Sequence, residues 1–270
     1  MFKAPFDLKN ARILVTNDDG INTLGLKKLE NVAKKLAKEV WVVAPETEQT
    51  GAGHSLTLRS PLRIRKLTNT RFAVNGTPTD CVLLAVNRIM QQWRPNLVLS
   101  GINRACNVGE DMTYSGTIAA AMEATLLGIP AIAFSQDVVD DDGTGAGRVI
   151  WSAAEAYAPK VIKKVTSVNW PRDVLINVNF PAVPKNKVTG IEVTREGRRK
   201  TGDEVIEGLD PRGDSYFWIG AQKTSDRYPA GTDLAAIQKG AVSVTPLSLD
   251  LTHRATMRSL KQAFKGKKRH

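Results

Sequence analysis

Short apolar runs alternate with amphipathic stretches through the first two thirds of the chain. The β-branched run Ile13-Leu14-Val15 is typical of a buried parallel strand, and apolar residues at near-helical spacing over 24–36 predict a helix after it. Further buried strands are predicted at 40–45, 97–101, 130–135 and 174–178. Strands that alternate with helices in this way predict an α/β fold with a doubly wound, mostly parallel sheet.

Local signals predict further elements within this part of the chain. Residues 62–65 and 71–74 alternate between apolar and polar positions, which predicts an antiparallel pair of strands. A polar cap at 76–80 precedes an apolar stretch that runs to 89, and this order predicts a helix. Two more helices are predicted at 119–127 and at about 149–165, with a surface loop at 140–147.

The pattern changes after about residue 181. Short strands are predicted at 191–193, 216–219 and 242–244, with a short helix at 233–239. The chain has no internal repeat and no low-complexity linker. We therefore expect one domain, 1–270, with an α/β core at about 11–180, a β-rich extension at about 181–253 and a basic tail at 254–270.

The composition is that of a globular protein. The apolar fraction of 42% is close to the globular norm, and no apolar run approaches the length of a membrane span. Residues 1–7 show no apolar signal segment. Cys81 and Cys106, the only cysteines, form neither a CxxC pair nor a disulfide framework. We expect a cytoplasmic protein with no membrane association and no catalytic thiol.

The formal net charge of +11 favours anionic partners: nucleic acid, anionic lipid or small phosphorylated molecules. Basic residues cluster at 195–200 and in the tail, which we expect to be a solvated terminus. Charge alone does not separate a nucleic-acid-binding module from an enzyme that acts on small phosphates. Binding that survives metal removal and weakens steeply with salt would favour the module.

Asn17-Asp18-Asp19-Gly20 follows the first predicted strand directly, so two adjacent carboxylates lie at its carboxyl end. Ligands bind at this edge in open α/β sheets. Two ionised carboxylates about 4 Å apart repel by roughly 4 kcal/mol at an effective dielectric constant near 20. A divalent cation bound by oxygens would offset that repulsion. The alternative is an Asx turn in which one Asp caps the next helix.

Oxygen-bearing side chains follow the next predicted strands as well: Thr50 after the second and Asn103 after the third. No His or Cys cluster accompanies them, which argues against zinc and for magnesium, manganese or calcium. Glycines and a predicted helix start nearby offer N–H groups for phosphate oxygens. These lie at Gly51, Gly53, Asn107, Gly109, Ser115, Gly116 and Thr117. Each feature alone is more often an ordinary loop, turn or cap, but their shared edge of the sheet favours phosphoester hydrolysis.

The rival among enzymes is a dinucleotide-dependent dehydrogenase. No GxGxxG motif follows the first predicted strand. Asp18 and Asp19 would also repel a pyrophosphate in the absence of a metal. Both points argue against this rival.

Ten segments, in order from about Arg12 to His253, carry a family resemblance. They are Thr16-Asn17-Asp18-Asp19-Gly20-Ile21, Gly76-Thr77-Pro78-Thr79-Asp80-Cys81, Tyr114-Ser115-Gly116-Thr117, and residues 43–45, 51–58, 100–103, 107–109, 211–213, 231–233 and 245–247. In this combination the chain resembles the survival protein SurE family, which are metal-dependent 5′/3′-nucleotidases. The resemblance covers almost the whole chain.

The resemblance implies a Rossmann-like core and a C-terminal arm used in dimer or tetramer exchange. It also implies removal of phosphate from nucleoside 5′-monophosphates, from 3′-monophosphates in some cases, and from short polyphosphate, with no need for nucleic acid. One divalent ion per subunit, Mg²⁺ or Mn²⁺, would be held by Asp18, Asp19, Asn103 and, where the family has a serine, Thr50. A further departure is Asn22-Thr23-Leu24-Gly25, where the family commonly has a His-Ala-Pro-Gly type sequence.

We expect a water molecule activated by the metal to attack phosphorus, with Asp18 or Asp19 as proton acceptor. A covalent aspartyl-phosphate stays open as an alternative. His54 is a candidate acid for the leaving hydroxyl, although a lone loop histidine is more often merely solvated. The residues expected to hold the phosphate oxygens are Gly51, Asn107, Ser115, Gly116 and Thr117.

Overall fold

The computed structural model describes residues 1–139, 147–199, 205–219, 225 and 227–265. Of the predicted loop at 140–147 only Gly147 is described, and residues 266–270 of the predicted tail lie outside the described part. The strands are β1 Arg12–Thr16, β2 Glu39–Pro45, β3 Ile64–Lys66, β4 Arg71–Val74, β5 Leu97–Arg104, β6 Ala131–Gln136, β7 Val138–Val139, β8 Arg148–Val149, β9 Val174–Phe180, β10 Ile191–Val193, β11 Val205–Leu209, β12 Ser215–Ile219 and β13 Val242–Ser248.

A nine-stranded sheet in the order β10-β13-β9-β6-β5-β1-β2-β4-β3 forms the centre of the fold. Neighbours from β9 across to β4 pair in parallel, while β13 pairs antiparallel with β9 and β3 antiparallel with β4. This arrangement confirms the predicted mostly parallel α/β sheet. It also sets β1 between β2 and β5, so the loops that follow these three strands meet at one edge.

Helices cover both faces of the sheet. They are α1 Leu24–Lys34, α2 Pro78–Leu84, α3 Gly116–Leu126, α4 Ser152–Val165, α5 Asp233–Gln238 and α6 Arg254–Ala263, with a π-helical turn at Ala85–Ile89 and a 3₁₀ turn at Gly109–Thr113. Ile13 and Val15 of β1 face the core under α1 and α4, whereas Leu14 faces the core under α2 and α3. Side chains of β1 are thus buried on both faces, as its continuous apolar run predicts.

The second half of the chain differs from the prediction in several places. Val149, predicted as the approximate start of a helix, instead lies in β8 opposite β7, and α4 begins at Ser152. Strands β10 and β13 of the predicted extension join the main sheet, while the unpredicted β11 pairs with β12 in a separate hairpin. The tail, expected as a solvated terminus, contains α6, none of whose residues is buried. The proposed division near residue 181 stays a prediction.

No helix among the described residues is long and apolar enough to cross a membrane.

Candidate functional site

The turn after β1 is held by hydrogen bonds among its own residues. The side-chain amide of Asn17 donates to the carbonyl of Gly20 at 3.1 Å and to the hydroxyl of Thr23 at 2.9 Å. Gly20 has φ +110°, a conformation that a glycine adopts without strain. Thr23, part of the segment that departs from the family pattern, thus helps to fix the turn that carries Asp18 and Asp19.

Asp18 is buried against the beginning of α3. Its Oδ1 accepts a hydrogen bond from the hydroxyl of Thr117, and the Thr117 backbone N–H also bonds to the carboxylate. A Cβ added to Gly116 would lie 2.7 Å from the Cβ of Asp18, so this close approach requires glycine. Burial raises the pKa of Asp18 above its usual range, although the bonds from Thr117 oppose the shift.

The pKa of Asp19 is raised to about 7, chiefly by burial and further by the charges of Asp18 and Glu48. The backbone N–H of Arg104 donates to the Asp19 carboxylate and lowers that pKa in part. Arg104 follows Asn103 on β5, so this bond joins the end of β5 to the turn after β1. The structure therefore brings Asp19 close to the segment that carries Asn103.

Thr50 lies in the loop after β2, and its hydroxyl donates to Glu48 Oε1 at 2.7 Å. The backbone N–H of Gln49 donates to the carbonyl of Asp18 at 2.8 Å, so the loop is tied directly to the carboxylate pair. Because Glu48 raises the pKa of both Asp18 and Asp19, its carboxylate belongs to the same electrostatic site. Sequence analysis missed Glu48, although its place two residues before Thr50 was a usable signal.

The same loop is clamped further along by the start of α2. Thr77 caps that helix in a reciprocal capping box with Asp80. The Asp80 carboxylate also accepts bonds from the backbone N–H of Thr57 at 3.1 Å and from its hydroxyl at 2.6 Å, and the Thr77 hydroxyl donates to the carbonyl of Ser55 at 2.8 Å. The 76–80 segment predicted only as a helix cap thus also anchors the loop that carries Thr50.

His54 extends from this loop toward α3, where its Nε2 lies 2.9 Å from Glu123 Oε2. Glu123 is seven residues beyond Gly116, about two helical turns from the start of α3. The pair fastens the loop to the side of the helix. His54 was predicted as the acid for the leaving hydroxyl. Its Nε2 is instead bonded to Glu123, at a distance from the N-terminus of α3.

Asn103 is half-buried near the end of β5. Its side-chain nitrogen donates to the carbonyls of Arg104 at 3.1 Å and Ala105 at 2.9 Å. Because the amide nitrogen faces these two carbonyls, the side-chain oxygen of Asn103 is directed away from them. Asn103 is therefore oriented by its own turn, as a metal ligand needs to be.

Asn107 is buried, and its hydrogen bonds point into the sheet. Its side-chain amide donates to Ser135 at 2.8 Å and its backbone N–H donates to Asn179 Oδ1 at 2.8 Å. The side-chain amides of Asn177 and Asn179 both donate to its carbonyl, at 2.9 and 3.1 Å. This network holds the connection between Asn103 and Ser115. Polar residues two apart in an otherwise apolar strand were the sequence signal for Asn177 and Asn179.

Two further predicted phosphate-binding side chains, like that of Asn107, already have partners within the fold. The hydroxyl of Ser115 accepts from the backbone N–H of Ile118 at 3.1 Å, which makes Ser115 the N-cap of α3. The hydroxyl of Thr117 is engaged with Asp18. Gly51 is open: a Cβ added there would meet nothing within 4 Å. The backbone of Gly51 is thus open to an anion, whereas at the start of α3 the N–H groups of Thr117 and Ile118 already bond to Asp18 and Ser115.

The donor set suits a hard divalent cation. Oxygen is offered by the buried carboxylate of Asp18, the half-buried carboxylate of Asp19, the Thr50 hydroxyl and the Asn103 amide. Among the described residues no group of three or more His, Cys, Asp and Glu side chains forms a metal-binding cluster, so an ion here would need the neutral oxygens as well. The charge of Glu48 raises the pKa of Asp18 and Asp19, and the charge of Asp18 further raises that of Asp19; a bound cation would oppose both effects.

Comparison with known proteins supports one family throughout. The family model for survival protein SurE matches residues 13–203. The chain is 58% identical over 258 residues to a 5′-nucleotidase SurE of Paramagnetospirillum magneticum, covering 96% of this chain and 97% of the relative. It is 55% identical over 264 residues to that of Rhodospirillum rubrum, covering 98% and 100%. The crystal structure of the SurE protein from Aquifex aeolicus has a TM-score of 0.80 and 40% identity, covering 94% of this chain and 99% of the other.

Proposed function

The chain belongs to the SurE family, and from this premise we propose that it is a 5′-nucleotidase, a phosphoric monoester hydrolase that uses a divalent cation. Relatives that carry this name match over nearly the full length of the chain. Nucleoside 5′-monophosphates are the proposed substrates. Hydrolysis of 3′-monophosphates and of short polyphosphate belongs to the same proposal.

The proposed ligands of one Mg²⁺ or Mn²⁺ ion are Asp18, Asp19, Thr50 and Asn103. The cation, when bound, would neutralise charge on the phosphate and activate a water molecule for attack on phosphorus. Thr50 would turn from Glu48 toward the ion, since its hydroxyl donates to Glu48 in the structure. Threonine keeps the oxygen of the serine in the family pattern, so its ligand role is retained in this proposal.

The start of α3 is the proposed phosphate site, because N–H groups at a helix N-terminus attract anions. Gly116 provides the close approach, and the backbone of Gly51 lies open nearby. Ser115, Thr117 and Asn107 contribute by shaping this cradle: Ser115 caps the helix, Thr117 orients Asp18, and Asn107 fixes the preceding loop.

Hydrolysis also requires a proton acceptor. As water forms a new P–O bond, the ester P–O bond breaks and the nucleoside leaves with a proton. Asp18 or Asp19 would accept the proton that the water loses and pass it to the oxygen of the leaving nucleoside. The raised pKa of both carboxylates makes each a better proton acceptor than an ordinary aspartate.

The observation that carries this proposal is the close placement of the buried Asp18, which is bonded to Thr117 at the start of α3, and the half-buried Asp19, whose pKa is raised to about 7. We expect phosphate release from adenosine 5′-monophosphate to stop after exhaustive chelation and to return with Mg²⁺ or Mn²⁺. A panel of 5′- and 3′-nucleotides and tripolyphosphate would define the substrate range.

A variant series separates the site from the fold in the same assay. Asp18→Asn and Asp19→Asn should be inactive, whereas the exposed Asp173→Asn should keep wild-type activity. Full activity of a protein shown to contain no metal would contradict the proposal, and so would near wild-type turnover of both site variants.

The hairpin of β11 and β12 supports a homodimer or homotetramer. Its apolar side chains are exposed on both faces, and an isolated two-stranded hairpin is at best marginally stable. The exposed residues are Val205, Ile206, Leu209, Tyr216, Phe217, Trp218 and Ile219. We propose that a second copy of the chain covers them, as a C-terminal arm used in oligomerisation would require.

A further inference from the structure

Tyr114 presents a large aromatic ring beside the proposed phosphate site. It directly precedes Ser115, the N-cap of α3, and is 58% exposed. Consecutive Cα atoms are about 3.8 Å apart, so the Cα of Tyr114 lies within about 8 Å of that of Gly116. The backbone that carries the ring is therefore close to the place where phosphate is proposed to bind.

The backbone of Tyr114 is held on both sides. Its N–H donates to the carbonyl of Asp111 at 3.1 Å, and its carbonyl accepts from the N–H of Gly53 at 3.2 Å. Its side chain makes no hydrogen bond and no ring contact with any residue that the structure describes. A fixed backbone thus carries an unengaged ring, and a flat apolar ligand would bury its exposed face.

The loop that contacts Tyr114 leaves space beside it. Residues 51–53 are Gly51, Ala52 and Gly53, so this segment has almost no side-chain bulk. A Cβ at Gly51 would meet nothing within 4 Å, and one at Gly53 would meet only the carbonyl oxygen of Thr113, at 3.6 Å. A planar group attached to the phosphate could therefore approach the ring without a clash from this loop.

We propose that Tyr114 stacks on the base of the bound nucleoside monophosphate and so favours nucleotides over phosphate esters that lack a base. The inference rests on the proposed nucleotidase function. Every base has a π-face, so stacking gives affinity with little preference among bases. One stacked base strengthens binding by about tenfold or more.

The test compares adenosine 5′-monophosphate with ribose 5-phosphate, which shares the phosphate and the sugar but has no base. KM and kcat are measured for the wild type, Tyr114→Ala and Tyr114→Phe. Tyr114→Ala should raise KM for the nucleotide about tenfold and leave KM for ribose 5-phosphate within about twofold. Tyr114→Phe keeps the ring and should behave like the wild type. Trp93→Ala removes another exposed aromatic side chain and should change neither substrate's KM.

The outcomes separate this inference from the function on which it rests. An equal rise in KM for both substrates would mean that Tyr114 only shapes the phosphate cradle, and would overturn the inference while leaving the hydrolase in place. An unchanged KM for the nucleotide in Tyr114→Ala would overturn it too. Failure of the wild type to hydrolyse either substrate would contradict the proposed function itself.

Discussion

The hydroxyl of Thr117 donates a hydrogen bond to Oδ1 of Asp18, across 99 residues of sequence. This bond joins the first turn of α3 to the end of β1 and fixes the rotation of the carboxylate. The other oxygen, Oδ2, would lie 2.9 Å from a Cβ at Gly116, so only a residue without a side chain leaves it room. The helix that would hold the phosphate therefore also orients a proposed metal ligand.

Thr117→Val removes this bond and keeps the shape of the side chain. We expect about 10- to 100-fold weaker Mn²⁺ binding, because loss of a group that orients a metal ligand has effects of this size. Titration of the metal-free protein with Mn²⁺ would measure the change, and Thr117→Ser should restore most of the affinity.

Thr125 on the same helix offers a matched control. It is buried and its hydroxyl donates to the carbonyl of Ala121 at 2.8 Å, away from Asp18. Thr125→Val should therefore leave Mn²⁺ affinity unchanged. Equal losses in Thr117→Val and Thr125→Val would show that a buried hydroxyl matters only for the helix, and the orienting role would have to be abandoned.

Thr50 tests whether the hydroxyl of the loop after β2 is a ligand. Thr50→Ser keeps the oxygen and should keep substantial turnover. Thr50→Val should lower kcat more than about tenfold, because loss of a metal ligand should reduce activity at least as much as loss of a group that only orients a ligand. Thr47→Val, an exposed change in the same loop, is the control. Similar kcat values for the serine and valine variants would place Thr50 outside the metal shell.

Local sequence predicted the first half of the fold well, because β1, β2 and β5 are mostly buried on both faces and form continuous apolar runs in the sequence. Strand β11 was missed because Val205 and Ile206 are adjacent apolar residues on opposite faces. Both are exposed, so the sequence lacks the alternation of apolar and polar residues that predicts a half-buried strand. The place of β13 in the main sheet depends on pairing with β9, for example Val244 with Val178, and such distant contacts leave no local trace.

The site shows the same division between local and distant information. Asp18 and Asp19 come after β1, and Asn103, predicted to follow a strand at 97–101, lies near the end of the longer β5, so their shared edge could be predicted from strand order. The contacts of Thr117 and Glu48 with the Asp pair could not be predicted in this way, because they arise only through the tertiary fold: Thr117 was predicted to bind phosphate, and Glu48 was missed. Sequence reasoning therefore names candidate ligands more readily than the groups that orient them.

The β11–β12 hairpin predicts the assembly state. Phe217→Ser combined with Trp218→Ser removes one large apolar group from each face of the hairpin, and should convert an oligomer into smaller species. Light scattering coupled to size exclusion at micromolar concentration gives the mass directly. Trp93→Ser, an exposed change elsewhere, should keep the wild-type mass. A monomeric wild type, or a double variant with the wild-type mass, would contradict the proposed interface.

Asp19 makes the stability of the metal-free protein depend on pH. Its pKa is raised to about 7 in the folded state, whereas an aspartate in an unfolded chain has a pKa near 3.9. Between these values the unfolded chain releases a proton that the folded protein retains, so rising pH favours unfolding. We expect the midpoint of thermal unfolding, measured in chelator, to fall from about pH 4 to about pH 7 and then level off.

Asp19→Asn should make this fall shallower and raise the stability of the metal-free protein above that of the wild type at pH 8. The slope should not vanish, because the pKa of Asp18 is raised in the same direction. Added Mn²⁺ should stabilise the wild type at pH 8 but not Asp19→Asn, since the ion replaces the proton only where both carboxylates are present. The exposed Asp173→Asn should keep the wild-type pH profile. If Asp19→Asn instead destabilised the metal-free protein and still released phosphate, the Asp19 carboxylate would have a structural role. That result would contradict the proposed metal-dependent mechanism.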